Sequence, residues 1–187
     1  MVESDRKAKM IIILGTNGTG KTTYVNNLLH YMLDVTGERS LVVTRHDTEW
    51  EAYPNNSLEL AKDYQFSGIH KHFFRTGSWN KIVKFAKGTL VLDDCRMYIR
   101  PNLIEEVENL LISRRQKEFD IILVAHGFTQ VPPAFFTFAT EIILFKTTDN
   151  IQRRRDVLKD YDRVVKEQQE VNRKAEKNPH YKKIIKY

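Results

Sequence analysis

Residues 10–22 read MIIILGTNGTGKT, five apolar residues followed by a glycine-rich turn and a Lys-Thr pair. The apolar run 10–14 predicts a buried β-strand, and the amphipathic stretch 21–33 after the turn predicts a helix that ends before a glycine. The turn, residues 15–22, matches the Walker A pattern G-x-x-x-x-G-K-[ST] in full. Such a turn lets backbone N–H groups surround a phosphate at a helix N-terminus. The stretch therefore predicts a nucleotide phosphate site.

Each part of this motif has an expected role. The three glycines of the turn permit backbone angles that are costly for other residues and let the chain approach phosphate closely. Lys21 is expected to place its charge on the β- and γ-phosphates, the Thr22 hydroxyl to ligate magnesium and Thr23 to touch the α-phosphate. The expected ligands are ATP and Mg²⁺. The predicted nucleotide contacts are Gly15, Thr16, Asn17, Gly18, Thr19, Gly20, Lys21, Thr22 and Thr23.

A second motif lies in residues 89–94, TLVLDD, an apolar run that ends in two carboxylates. This is the Walker B arrangement. Ligands bind at the carboxyl ends of parallel strands, so these carboxylates are expected beside the phosphate loop. Asp93 is predicted to hold magnesium through its water shell. Asp94 is predicted to orient an attacking water, the alternative being a turn or helix-cap residue.

Apolar, β-branched runs alternate with helical patterns along most of the chain. The predicted strands are residues 10–14, 40–44, 89–93, 120–125 and 141–145, and the predicted helices are 21–33, 79–86, 102–117, 133–138 and 149–174. This alternation predicts an α/β, three-layer P-loop NTPase fold with a mainly parallel, five-stranded core sheet and helices on both faces. The strand at 40–44 separates the two motifs in the chain. That order resembles the additional-strand, RecA-like division of P-loop proteins.

Composition is that of one domain of 187 residues without a membrane span. The longest apolar runs are far shorter than the roughly 20 residues that cross a bilayer. The N-terminus is charged and lacks a secretory signal, and the single cysteine, Cys95, excludes an internal disulfide framework. We therefore expect a cytoplasmic protein.

The positive charge is concentrated at the C-terminal end. Residues 150–187 contain 12 Lys/Arg and 6 Asp/Glu, a balance of +6, whereas the other residues contain 18 of each. The predicted division is a tail at 1–9, a P-loop ATPase domain at 10–149 with an irregular insertion at about 49–77, and a basic helix and tail at 150–187. Such asymmetry favours a polyanionic partner, and a solvated helix face is the alternative. The predicted nucleic-acid contacts are Arg153, Arg154, Arg155, Lys182 and Lys183.

Three stretches together resemble the FtsK–HerA superfamily of P-loop ATPases. They are LVLDD at 90–94, a helix ending in SRRQ at 113–116, and FDIILVAH at 119–126. The small viral members of that superfamily are genome-packaging ATPases of membrane-containing icosahedral viruses. The resemblance covers about residues 9–150. It implies ATP hydrolysis coupled to movement of double-stranded DNA of any sequence, in host cytoplasm and in the virion, with a capsid or membrane vertex as a further partner.

The resemblance also implies a sensor and a water-positioning carboxylate. Family members follow the fourth strand with a polar sensor of the γ-phosphate, a role that falls here on His126, with Gln130 as the alternative. A capping role on the turn that follows is the other reading of His126. Relatives tend to have Glu after the magnesium carboxylate, where this chain has the shorter Asp94.

A ring assembly, pentameric or hexameric, is implied as well. In such rings an arginine of one subunit reaches the γ-phosphate of its neighbour and offsets the charge of the transferring phosphoryl group. The candidates are Arg114 and Arg115, followed by Arg96 or Arg100, and a solvated helix end is the alternative for each.

Two other functions remain open at this point. A nucleoside or nucleotide kinase would use the arginines at 153–155 as a lid, but the thymidine kinases of this size usually bind zinc through several cysteines, and Cys95 is alone. A phage-assembly NTPase would be expected to carry a transmembrane segment, which the sequence lacks.

Overall fold

The computed structural model describes residues 8–46, 48–99 and 104–187. Within these ranges the strands are β1 (Met10–Leu14), β2 (Ser40–Thr44), β3 (Ile69–Phe73), β4 (Gly88–Leu92), β5 (Phe119–Ala125), β6 (Glu141–Leu144) and β7 (Lys183–Lys186). The α-helices are α1 (Lys21–Thr36), α2 (Trp79–Ile82), α3 (Ile104–Ser113), α4 (Pro133–Phe138) and α5 (Tyr161–Ala175). Short 3-10 helices include Thr48–Trp50, Ala61–Tyr64, Cys95–Met97, Phe128–Gln130 and Ile151–Arg154.

These strands form one sheet in the order β3-β2-β4-β5-β1-β6-β7. All neighbouring pairs are parallel except β6 and β7, which are antiparallel. The predicted α/β fold with a mainly parallel sheet is confirmed. The strand that lies between β1 and β4 in the sheet is β5. Strand β2 lies on the far side of β4.

The sheet is covered on both faces, as predicted. Side chains of β1 alternate between two apolar layers: Ile11 and Ile13 pack with Val25 and Leu29 of α1, and Ile12 packs into the opposite layer. That larger layer takes apolar side chains from α2, α3, α4 and α5. Strands buried on both faces read as continuous β-branched runs, which explains why the central strands are recognisable in the sequence.

The sheet has two strands more than the five that were predicted. Strand β3 lies within the expected insertion and β7 within the expected basic tail. Both are edge strands with lysines or histidines in them, so neither has the apolar run of a central strand. In β7 the buried Ile185 pairs with Ile142 of β6, which places the C-terminal end of the chain in the same sheet as the phosphate loop.

Helix ends differ from the predictions in several places. Helix α1 continues to Thr36, and α2 ends early at Ile82. Residues 102 and 103 of the predicted third helix lie outside the described ranges. The last helix was expected to start near residue 149, but a 3-10 turn comes first and α5 begins at Tyr161. Asp149 instead accepts a hydrogen bond from the backbone N–H of Thr129 at 2.7 Å.

Within the described ranges, no helix combines the length and the apolar character that a membrane span requires.

Candidate nucleotide site

A cleft of about 570 Å³ opens at the carboxyl edge of the sheet. This volume lies in the range of ordinary small-molecule sites. It is lined by Asn17, Gly18, Gly20, Lys21, Thr22, Thr23, His46, Glu49, Asp93, Asp94, Val124, Ala125, His126 and His180. Both Walker motifs therefore face one space, because β1 and β4 are parallel and end at the same edge.

The phosphate loop leads from β1 into α1. Gly20, the residue before the helix, has φ 89°, a left-handed angle that favours glycine. Gly15 is tightly enclosed, since a Cβ there would lie 2.6 Å from the Cβ of Phe145. Of the predicted nucleotide contacts, six line the cleft: Asn17, Gly18, Gly20, Lys21, Thr22 and Thr23. The other three, Gly15, Thr16 and Thr19, are outside the lining, and the Thr19 hydroxyl donates a hydrogen bond to the carbonyl oxygen of Thr16 at 2.8 Å.

Lys21 is folded against the loop that precedes it. Its Nζ donates a hydrogen bond to the carbonyl oxygen of Thr16 at 3.0 Å, and the side chain is nearly buried. Burial lowers the pKa of Lys21, while the nearby carboxylates of Asp93, Glu49 and Asp94 act in the opposite direction. The ammonium group thus lies in the field of three acidic groups and is available to a phosphate that enters the cleft.

Asp93 follows the last residue of β4 and is 6% exposed. Its Oδ2 accepts a hydrogen bond from the indole N–H of Trp50 at 2.7 Å. Burial is the main reason that the pKa of Asp93 is raised to about 6; the charges of Glu49 and Asp94 act in the same direction, and the Trp50 hydrogen bond and the charge of Lys21 oppose it. A cation in the cleft would offset this unfavourable burial of negative charge.

Glu49 is a site residue that the sequence did not reveal. Its Oε2 accepts a hydrogen bond from the Thr22 hydroxyl at 3.1 Å. Glu49 reaches the loop because β2 lies beside β4 and the 3-10 helix Thr48–Trp50 follows β2 at the carboxyl edge. The sequence does carry one indication of this role: Glu49 is an acidic residue that follows the buried strand β2 closely, just as Asp93 follows β4.

Asp94 has a left-handed backbone, with φ 47° and ψ 55°. A non-glycine residue in this conformation is strained and is often found at functional sites. Its two carboxylate oxygens face two imidazoles: Oδ1 is 3.7 Å from Nε2 of His126, and Oδ2 is 3.7 Å from Nε2 of His46. His46 was not predicted as a site residue.

The two sensor candidates occupy different positions. His126 lines the cleft at the end of β5. Gln130 is outside the lining, and its Oε1 accepts a hydrogen bond from the backbone N–H of His126 at 3.3 Å. Gln130 therefore supports the turn that carries His126.

The candidate arginines are also separated. Arg114 is 2% exposed, donates a hydrogen bond to the carbonyl oxygen of Leu111 and has its guanidinium carbon 5.4 Å from the centre of the Phe138 ring. Burial of this kind corrects the expectation that Arg114 reaches a neighbouring subunit. Arg115 and Arg96 are exposed, the former at the edge opposite the cleft and the latter just after Asp94. Arg100 lies outside the described residues.

Two of the predicted nucleic-acid contacts are engaged within the chain. The Arg154 guanidinium donates hydrogen bonds to the carbonyl oxygens of Phe128, Thr129 and Val131 at 2.8 to 3.1 Å. Lys183 forms ion pairs with Glu167 at 2.7 Å and Glu170 at 2.9 Å. Arg154 and Lys183, which the sequence predicts as nucleic-acid contacts, are therefore already engaged within the fold. The other three, Arg153, Arg155 and Lys182, are exposed.

The cleft fits a magnesium ion bound together with a nucleotide. Among the described residues, no three His, Cys, Asp or Glu side chains converge as a ligand set of their own. Magnesium in nucleotide sites needs only one or two protein oxygens, because phosphates and waters supply the rest. The Thr22 hydroxyl and Asp93 offer such oxygens. Among the described Lys and Arg side chains only Lys21 lines the cleft, against three carboxylates, so the lining has an excess of negative charge.

His180 brings the C-terminal end of the chain to the cleft. Its Nδ1 is 3.2 Å from the carbonyl oxygen of Thr19 in the phosphate loop. The sequence placed this residue in a basic, aromatic tail, and only the return of the chain along β6 puts it beside the loop.

Comparison with solved structures identifies relatives of the fold. The genome-packaging NTPase B204 from Sulfolobus turreted icosahedral virus 2, in complex with AMP, is similar over 96% of this chain and 92% of that chain, with a TM-score of 0.69 and 14% identity. The same protein with ATP-gammaS gives a TM-score of 0.64 and 15% identity over 96% and 97% of the two chains. B204 described as the DNA-packaging ATPase from Sulfolobus Turreted Icosahedral Virus has a TM-score of 0.66 and 14% identity, over 95% of this chain and 97% of that chain.

No family model and no curated protein matches the chain. The structural likeness spans almost the whole chain and shows that it has a P-loop NTPase fold.

Proposed function

We propose that this chain is a viral genome-packaging ATPase of the FtsK–HerA superfamily, which hydrolyses ATP with magnesium and uses the energy to move double-stranded DNA. The observation that carries the proposal is the cleft in which the phosphate loop, the carboxylates after β4 and His126 after β5 face one another. The likeness to B204, described as a DNA-packaging ATPase, supports the same reading.

In the proposed reaction the loop N–H groups and Lys21 bind the triphosphate. The Thr22 hydroxyl and Asp93 would hold a magnesium ion, which would offset negative charge on the phosphates. Glu49 accepts the hydrogen of the Thr22 hydroxyl and so fixes the direction of its lone pairs. The chain thereby holds its metal-binding oxygens in place before nucleotide enters.

Asp94 is proposed to orient the attacking water. The water adds to the γ-phosphorus, the bond to the β,γ-bridging oxygen breaks, and ADP and inorganic phosphate leave. His46 and His126 flank the Asp94 carboxylate, each with its Nε2 3.7 Å from a carboxylate oxygen, and are proposed to position it. Asp94 lines the cleft and has a left-handed backbone, although its side chain is one methylene shorter than Glu. We also propose that His126 contacts the γ-phosphate.

The proposed assembly is a homo-oligomeric ring acting on DNA in the host cytoplasm. Exposed Arg96 or Arg115 would act on the nucleotide of the adjacent subunit. Arg153 and Arg155 are proposed to contact DNA phosphates, because both are exposed on the basic C-terminal part. Such contacts would be independent of sequence and sensitive to salt.

Adjacent arginines give a matched test of the DNA contact. Arg153→Ala should weaken DNA binding and reduce the slope of log affinity against log salt by about 1. Arg154→Ala should instead lower the free energy of unfolding by about 1.5 to 3 kcal/mol, because charged hydrogen bonds to three carbonyl groups are lost. Salt-dependent binding to double-stranded DNA and urea unfolding of both variants separate the two roles.

The decisive experiment for the function measures ATP hydrolysis with no DNA, with single-stranded DNA and with double-stranded DNA, alongside native mass. We expect double-stranded DNA to stimulate hydrolysis and the protein to assemble into a pentamer or hexamer. A monomer that hydrolyses nothing but transfers phosphate to a nucleoside would overturn the proposal in favour of a kinase.

A further inference from the structure

The chain segment 178–182 crosses directly beside the phosphate loop. His180 Nδ1 lies 3.2 Å from the carbonyl oxygen of Thr19, and a Cβ on Gly20 would meet that nitrogen at 2.9 Å. Two residues later, the Lys182 Nζ lies 5.0 Å from the centre of the Tyr24 ring on α1. The segment therefore forms a wall of the cleft at the start of α1.

This wall is fixed at both ends. The backbone N–H of His180 donates to Oδ1 of Asn178 at 3.1 Å, and the N–H of Tyr181 donates to the carbonyl oxygen of Asn178 at 2.8 Å. These bonds form a tight turn with His180 at its tip. Beyond it, Lys183 is held by two glutamates of α5, and β7 pairs with β6. The imidazole is thus positioned before any ligand binds.

Strand order determines which part of a nucleotide meets this wall. Asp93, Asp94 and His126 follow β4 and β5, on one side of the phosphate loop. The segment 178–182 leads into β7, on the other side of β1. In the proposed function the γ-phosphate faces the carboxylates and the α-phosphate reaches Thr23. The nucleoside, attached to the α-phosphate, then continues toward the β6–β7 side.

We propose that the segment 178–182 forms the nucleoside subsite and that the His180 imidazole stacks on the nucleobase. The inference rests on the proposed binding of ATP by this cleft. Among the described lining residues, the other rings are His46 and His126, and both face Asp94. Of the three rings that line the cleft, His180 is therefore the one available to stack on a base. Stacking does not select among bases, because each base has a π face.

The test compares two ligands that share the phosphates and differ in the nucleoside. Affinities of ATP and of inorganic tripolyphosphate, both with magnesium, are measured by calorimetry for the wild type, His180→Ala and His180→Phe. We expect His180→Ala to weaken ATP binding by about fivefold or more, the loss for removal of one stacking partner, and to leave tripolyphosphate binding unchanged. His180→Phe should retain the affinity for ATP, because it keeps an aromatic face.

His70→Ala is a matched control, since this histidine stacks on Phe66 far from the cleft, at 4.4 Å between ring centres. Equal weakening of both ligands by His180→Ala would overturn the proposal, because His180 would then act only through Thr19 and the loop. Loss of ATP affinity in His180→Phe, or none in His180→Ala, would also overturn it. A wild type that binds neither ligand would instead contradict the proposed function itself.

Discussion

The Thr22 hydroxyl donates its hydrogen to Glu49, a residue outside both Walker motifs. We predict that Glu49→Gln raises the magnesium concentration needed for nucleotide binding about ten- to a hundredfold, the usual cost of losing a carboxylate that orients a metal ligand. A fluorescent ATP analogue titrated with magnesium measures this, together with direct binding of Mn²⁺ by electron paramagnetic resonance.

Glu51→Gln provides the control for that measurement, because Glu51 is exposed on the same short segment and does not line the cleft. An unchanged metal requirement in Glu49→Gln, with a reduced turnover number, would show that Glu49 acts on the water and not on the metal-binding hydroxyl. A large effect of Glu51→Gln would indicate that the segment as a whole had been disturbed.

Asp93 gives a pH-dependent prediction for the protein free of nucleotide and metal. Its pKa is raised by burial from 3.8 to about 6, so the folded chain holds this proton more tightly than the unfolded chain does. The group therefore destabilises the fold fully above about pH 6, and the cost disappears as the pH falls below about 4. Asp93→Asn should raise the stability by about 1 to 3 kcal/mol at pH 8 and by little at pH 4. Thermal unfolding at the two pH values, with EDTA present, checks the sign; equal shifts would contradict it.

The Walker residues could be predicted from sequence because each motif is local. Lys21, Thr22 and Asp93 take their meaning from neighbours within a few positions, and the strand endings place them. Glu49 and His46 follow a buried strand, as Asp93 does, but belong to no recognisable motif, and His180 has no local signal at all. They reach the cleft only because β2 lies beside β4 and the chain end returns along β6, and both are consequences of tertiary packing.

At the scale of elements, β7 attaches the C-terminal end to the sheet through one buried side chain. Ile185 is 1% exposed and Ile184 is 44% exposed, so the two neighbours have the same chemistry and opposite environments. Ile185→Ala should cost about 2 to 5 kcal/mol. Ile184→Ala should stay within about 0.5 kcal/mol of the wild type. Urea unfolding tests the pair, and equal effects would contradict the pairing of β7 with β6.

The same contrast explains why the central strands could be predicted from sequence and the edge strands could not. The strands β1 and β2 were predicted with their observed bounds, because both are apolar runs buried on both faces. The run KIIK of β7 has lysines at both ends and only one buried apolar side chain, so the sequence alone predicts a basic tail there. The position of β7 depends on its pairing with β6, and no local sequence pattern indicates that pairing.

At the scale of the whole molecule, the nucleotide cleft and the basic C-terminal part belong to one folded unit. The charge excess of residues 150–187 is partly offset within the fold, since Lys174 and Lys183 both contact Glu170. The segment 178–182 contacts both α5 and the phosphate loop. A partner bound to the C-terminal part and a nucleotide bound in the cleft would therefore both contact elements that this segment joins.

The central claim is that this cleft hydrolyses ATP. The most direct test measures phosphate release from ATP, with magnesium and double-stranded DNA, for the wild type and Lys21→Met purified separately by the same procedure. We predict steady release by the wild type, none with EDTA, and a decrease of at least about a hundredfold in Lys21→Met, because the charge that stabilises the transferring phosphoryl group is lost. Absence of release by the folded wild type, or equal release by Lys21→Met, would contradict the account.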